Sequence, residues 1–112
     1  MVWAAVENGM TLGTQGSEGG VIERDEEHAD GARITIERGG STAPYSITCG
    51  IYGWMCHTRF FGTAQEANQA FEEMKFGLTN ILALIPLQSD PEADAKCARV
   101  VNTVQDFVAR FP

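Results

Sequence analysis

Basic side chains are scarce in this sequence. Eight Lys and Arg stand against 15 Asp and Glu, giving a formal net charge of −7 over 112 residues. The eight are scattered singly, at Arg24, Arg33, Arg38, Arg59, Lys75, Lys96, Arg99 and Arg110. A surface of that sign repels phosphate and no basic cluster offsets it locally, which argues against nucleic acid and anionic membrane surfaces as partners. Long apolar runs are missing too. The longest, "ILALIPL", is far short of the roughly 20 residues that cross a bilayer. The opening "MVWAAVENG" has neither the basic residues nor the apolar stretch of a signal peptide. Cysteine is sparse: three residues, an odd number without a dense framework, fit a reducing compartment where thiols stay free. A cytoplasmic protein is expected.

Several chemistries lack their signatures. No Lys-Ser/Thr pair follows the glycines to make a phosphate-binding loop. No nucleophile elbow, zinc-protease helix or C-x-x-C redox pair is recognisable. The acidic run "ERDEEHAD" (23–30) lacks the alternating oxygen ligands around a central glycine that a calcium loop needs, so it reads as a solvated hairpin with His28 exposed.

What remains is a folded composition: 44% of residues are hydrophobic and 9% aromatic. The length suits one small domain. Residues 1–20 read as a short N-terminal segment followed by a mobile, Gly-rich loop, "GMTLGTQGSEGG", and residues 21–112 as a single α+β domain. "ARITIE" alternates Ala32, Ile34 and Ile36 against Arg33, Thr35 and Glu37, the two-residue period of a half-buried strand. Its partner is "VIERDEE". A two-residue turn at Asp30-Gly31 would put Asp25 and Glu27 among the isoleucines, so a longer loop is expected there. "YSITCGI" and "WMCHTRFF" complete about four strands over 21–61.

The period then turns helical. Thr63 with Glu66 forms a capping box for a helix over about 63–85, whose stripe is Ala67, Ala70, Phe71, Met74, Leu78, Ile81, Leu82 and Ile85 before Pro86. Asp90 as N-cap and Pro91 at the first position open a second helix over about 90–111. Its stripe is Ala93, Cys97, Val100, Val101, Val104, Phe107, Val108 and Phe111. The fold class is therefore two-layer α+β: an antiparallel sheet of β-hairpins followed by two amphipathic helices packed on one face.

"CGIYGWMCH" (49–57) concentrates the reactive residue types. With a tight turn at Tyr52-Gly53, Cys49 faces Cys56, and both share the core face with Ile47, Ile51, Trp54, Thr58 and Phe60. Cys97 lies in the second helix's stripe, so all three thiols point inward as small hydrophobes. No metal or other cofactor is expected: Cys49 and Cys56 are too far apart for paired zinc ligands, and His57 points to the opposite face.

That opposite face would carry Thr48, Met55, His57, Arg59 and Phe61 in the open, a candidate ligand-binding set. Phe76 falls opposite the first helix's stripe, and the neighbouring Gly77 marks a backbone approached closely by something. Phe76, Phe61 and Met55 are the candidate interface residues, most simply of a homodimer, with a protein or small molecule as the other kind of partner. The function expected is a non-enzymatic, self-associating binding protein of the adaptor, immunity or small-ligand-binding kind. The alternative is a small enzyme with His57 as acid or base and Arg59 holding an anionic substrate.

Overall fold

The computed structural model describes residues 3–112 and has the α+β architecture with one strand more than the pattern indicated. The strands are β1 (Trp3–Ala5), β2 (Val21–His28), β3 (Ala32–Arg38), β4 (Tyr45–Ile51) and β5 (Met55–Phe61); the helices are α1 (Ala64–Leu82) and α2 (Ala93–Arg110). The sheet is a plain antiparallel meander in the order β1-β2-β3-β4-β5. The extra strand comes from the N-terminal segment, which belongs to the sheet and is not a separate piece. Trp3 and Val6 are buried, and Trp3 Nε1 donates to Thr79 Oγ1 of α1 at 3.0 Å.

The Gly-rich segment is likewise no free linker. Gly13 N–H bonds Ile22 O at 2.8 Å and Ile22 N–H bonds Thr14 O at 2.9 Å. The Glu37 carboxylate, 1% exposed, accepts from the Glu18 and Gly20 amides at 3.0 and 3.1 Å. A Cβ at Gly16 would lie 2.3 Å from Glu37 Cδ, so only glycine fits where the loop crosses that side chain. The loop is pinned because a buried carboxylate must find donors, and this backbone supplies them.

Register decides which residues share a face. β2 and β3 pair Asp25 with Thr35 and Glu27 with Arg33, leaving a three-residue connection in which Gly31 takes φ +109°. That is the longer loop expected. An irregularity between Ile22 and Arg24 then turns Arg24, Glu26 and His28 toward the helices. The far face consequently shows three rows: Glu27–Arg33–Gly50–Cys56, Asp25–Thr35–Thr48–Thr58, and Ile22–Glu37–Ser46–Phe60. The centre of the helix face is Ala32, Ile34, Ile36, Ile47, Cys49 and Ile51, all buried. Each isoleucine there contributes about 1.5–3 kcal/mol of transfer free energy.

The β4–β5 register differs from the tight-turn expectation by one residue. The loop Tyr52–Trp54 has three residues, with Trp54 N–H bonding Ile51 O at 2.9 Å and Gly53 at φ +82°. Cys49 therefore faces His57, and Gly50 faces Cys56. A one-residue shift inverts every side chain of β5. "MCHTRFF" could not resist it, since Met55 and Phe61 on one side balance Cys56 and Phe60 on the other, and the turn glycine set the pairing instead.

α1 begins as expected, with Thr63 Oγ1 accepting the Glu66 amide at 3.2 Å. It crosses β3, β4 and β5 and buries Ala67, Ala70, Phe71, Met74, Leu78, Ile81 and Leu82. α2 starts later than expected, at Ala93. Asp90 Oδ1 instead closes the preceding turn by accepting from the Glu92 amide at 2.8 Å. Only Val100 and Phe107 of this helix are fully buried, because α2 packs beside α1 toward the β5 edge and has little of the sheet beneath it. No helix is long and apolar enough to cross a membrane among the described residues.

Candidate functional site

The inverted β5 divides the five candidate ligand-binding residues between two faces. Met55, His57, Arg59 and Phe61 stand on the helix-covered side, whereas Thr48 is on the far side beside Thr58, their hydroxyls 3.3 Å apart. The expectation of one open face holding all five is thereby corrected. His57 Nε2 bonds the Phe111 carbonyl, and Arg59 Nε donates to the Pro112 carbonyl at 3.2 Å. The Arg59 guanidinium also lies over the rings of Phe61 and Phe111, at 4.9 and 5.2 Å. Burial lowers the pKa of Arg59, with Glu73 and Cys49 opposing. These two residues strap the end of α2 onto β5. Neither has a side-chain carboxylate bonded to it that would orient or activate it for proton transfer.

The other candidates also move. Phe76 is 69% exposed, as the helical pattern required, but Phe61 and Met55 are half-buried. His28 is buried against Trp3, ring centroids 5.2 Å apart, and accepts the Asp30 amide on Nδ1 at 3.0 Å. The acidic hairpin is not simply solvated either. Asp25 is buried, Glu26 pairs with Lys75 at 2.6 Å, and Arg24 lies 3.9 Å above the Phe71 ring.

The open chemistry is on the far face. Between the Gly-rich loop and β5 runs a trough made of two adjoining hollows of about 370 and 520 Å³ that share Arg33, Gly50 and Cys56. Gly50 leaves the floor low, and a Cβ there would meet Met55 O at 3.0 Å. The loop side is Gln15, Gly16 and Ser17; the hairpin end is Tyr52 and Gly53, where the larger hollow wraps round the end of the sheet to the edges of Ile51 and Met55. Arg33 is the basic residue of the lining, with Glu27 and Glu37 the acidic ones. Its Nε and Nη2 grip Asp25 at 2.9 and 2.6 Å, while the side chain remains half exposed. Thr35 Oγ1 adds a third bond to Asp25 at 2.9 Å. Burial works to raise the Asp25 pKa, but the bonds from Arg33 and Thr35 outweigh it and hold the carboxyl below its ordinary value. The same pair raises the pKa of Arg33. The guanidinium is thus oriented before any ligand arrives.

The thiols are not equivalent. Burial pushes Cys49 up to about 12, with Cys56 adding and Arg59 opposing. Cys56 is exposed in the trough, and Cys97 is half-buried, so the inward placement expected of all three holds fully for Cys49 alone. The slipped register is the cause for Cys56; the thin cover over α2 is the cause for Cys97. No three His, Cys, Asp or Glu side chains are grouped so as to hold a metal ion among the described residues.

Sequence reasoning overlooked Arg33, Gly50 and Cys56 as site residues. A glycine inside a strand was the available signal, since it weakens the strand unless something approaches the backbone closely. Comparison with protein-family models, curated proteins and solved structures finds no match to this chain.

Proposed function

We propose that the chain is a non-enzymatic binding protein that self-associates and takes a small ligand in the far-face trough. The observation that carries this reading is the trough itself: a preformed hollow with a fixed guanidinium, a threonine row and an apolar hairpin end. Such a lining suits a small amphipathic molecule whose anionic or hydrogen-bonding head meets the exposed side of Arg33 and whose apolar part lies along the exposed Tyr52 at the hairpin end. The enzyme reading loses its support because His57 and Arg59 are engaged with backbone carbonyls on the covered face. Self-association draws on apolar side chains left in solvent, among them Phe60, Val101 and Val108.

Titration of isotope-labelled protein with a fragment set rich in small carboxylates, followed by amide NMR, tests the reading. Shifts are expected to gather at Gly16, Ser17, Thr48, Gly50 and Cys56, and to vanish in Cys56→Trp, which fills the floor. Shifts gathered at Arg59, Phe61 and Glu73 would move the site to the helix side and end this proposal.

A further inference from the structure

The two borders of the sheet are unlike. β1 is three residues long and runs into a 3-10 turn, Val6–Gly9, so little of it can template another strand. β5 is seven residues long, pairs regularly with β4 alone and contains no proline or lysine. No loop backbone or side chain bonds to its main chain among the described residues. Its outward amides and carbonyls form an open edge.

α2 leaves a matching surface beside that edge. Its inward line is Val100, Val104, Phe107 and Phe111. One flank, Thr103, Asp106 and Arg110, borders α1 at Gly77, Asn80 and Ile81. Val101 and Val108 lie about 80–100° round from Val100 on the opposite flank, away from α1, and are 46% and 36% exposed. His57 and Arg59 hold the C-terminal end of α2 at β5, so the Val108 end of this flank adjoins the open strand.

We infer that the β5 edge and the Val101/Val108 flank of α2 together form a two-fold interface with a second copy of this chain. The inference rests on the self-association reading above and says where it happens. An antiparallel β5–β5 contact has its two-fold axis perpendicular to the sheet, so both α2 helices fall on the same side and their valine flanks meet. Charge selects this surface over the alternative. Two copies carrying −7 each repel, yet β5 bears one charge, the cationic Arg59, and the flank of Cys97, Val101 and Val108 bears only Asp94, at the far N-terminal end of α2. Phe76, by contrast, stands beside Glu72 and Glu73 on α1, so a two-fold contact there would set carboxylates against carboxylates. Size agrees as well. A standard interface takes roughly 800 Å² from each partner, and β5 at about 23 Å alongside α2 at about 27 Å is an edge of that order.

Light scattering on the full chain at about 100 μM reads the mass of the parent, of Val101→Glu/Val108→Glu and of Phe76→Glu, with far-UV circular dichroism confirming each fold. The parent and Phe76→Glu are expected at twice 12.2 kDa and the double valine variant at half that mass. Both valines are exposed in the single chain, so their replacement spares the monomer. A dimeric parent whose double valine variant stays dimeric overturns the edge assignment while leaving self-association standing. A monomeric parent overturns both.

Discussion

Replacing Gly77 by alanine pits two effects of known size against each other. In an exposed helix the change stabilises by about 1 kcal/mol, since glycine carries the larger entropy loss. Here a Cβ on residue 77 would sit 2.8 Å from Phe107 Cε2 and 2.9 Å from Cδ2, well inside contact distance. Phe107 is 5% exposed and its ring lies 4.8 Å from that of Phe111, so it can give way only toward the hollow of about 170 Å³ that it lines with Gly77 and Phe111. Overpacking of this kind costs about 1–3 kcal/mol. Net destabilisation by about 1 kcal/mol is expected for Gly77→Ala, and clearly more for Gly77→Val, whose extra methyls enter the same contact. Urea unfolding followed by circular dichroism measures it, with an unchanged m-value confirming that the same transition is compared. Combining the change with Phe107→Leu should relieve most of the penalty and give a coupling energy between the two sites. A Gly77→Ala variant more stable than the parent by about 1 kcal/mol would refute the reasoning, because it would mean that α2 does not rest its phenylalanine on the α1 backbone.

Asp25→Asn should cost about 2 kcal/mol at neutral pH, a figure discounted because Arg33 is half exposed. The depressed Asp25 pKa adds stability above the unfolded value near 3.8 that is lost as pH falls through the lower folded value, so urea midpoints measured down the acid range should fall less steeply in the variant; parallel curves would show that the pair does not govern that range. Brief iodoacetamide treatment read by mass spectrometry should modify Cys56 first, Cys97 more slowly and Cys49 only on unfolding, and rapid native labelling of Cys49 would contradict its burial. Glu37→Gln should weaken the anchoring of the Glu18 and Gly20 amides and expose residues 16–20 to limited proteolysis, an effect that unchanged cleavage would disprove.

The fold was largely legible because its signals are local. Alternation marked β3, the Thr63–Glu66 box marked the start of α1, and a loop longer than two residues before β3 followed from the need to keep Asp25 and Glu27 away from Ile34 and Ile36. β1 was lost because three residues, "WAA", are too few to show a period. The site was harder to read because it depends on pairing across strands. One residue more in the turn at Gly53 sent His57 and Arg59 under the helices and brought Cys56 out. Nothing in the β5 pattern opposed that, since both its sides carry apolar and polar groups alike. The pinning of the Gly-rich loop was hidden for a related reason: Glu37 reads as an ordinary outward residue until the backbone that folds over it is in place. Gly77 is the opposite case, a local oddity whose cause, the ring of Phe107, was anticipated in kind.

The meander order has a consequence for how the chain acquires its shape. Every strand pairs with its neighbour in sequence, so the sheet can close hairpin by hairpin as residues 3–61 emerge. The helices that cover it, α1 and α2, follow β5 in sequence. Until α1 docks, Ile34, Ile36, Ile47 and Ile51 form a continuous oily surface on a nearly complete sheet with a free border at β5. Such an intermediate is sticky in the way that partly covered sheets are, and a chain arrested before residue 64 would be held in it. Slow synthesis of the helical half is therefore expected to prolong the exposure of that surface.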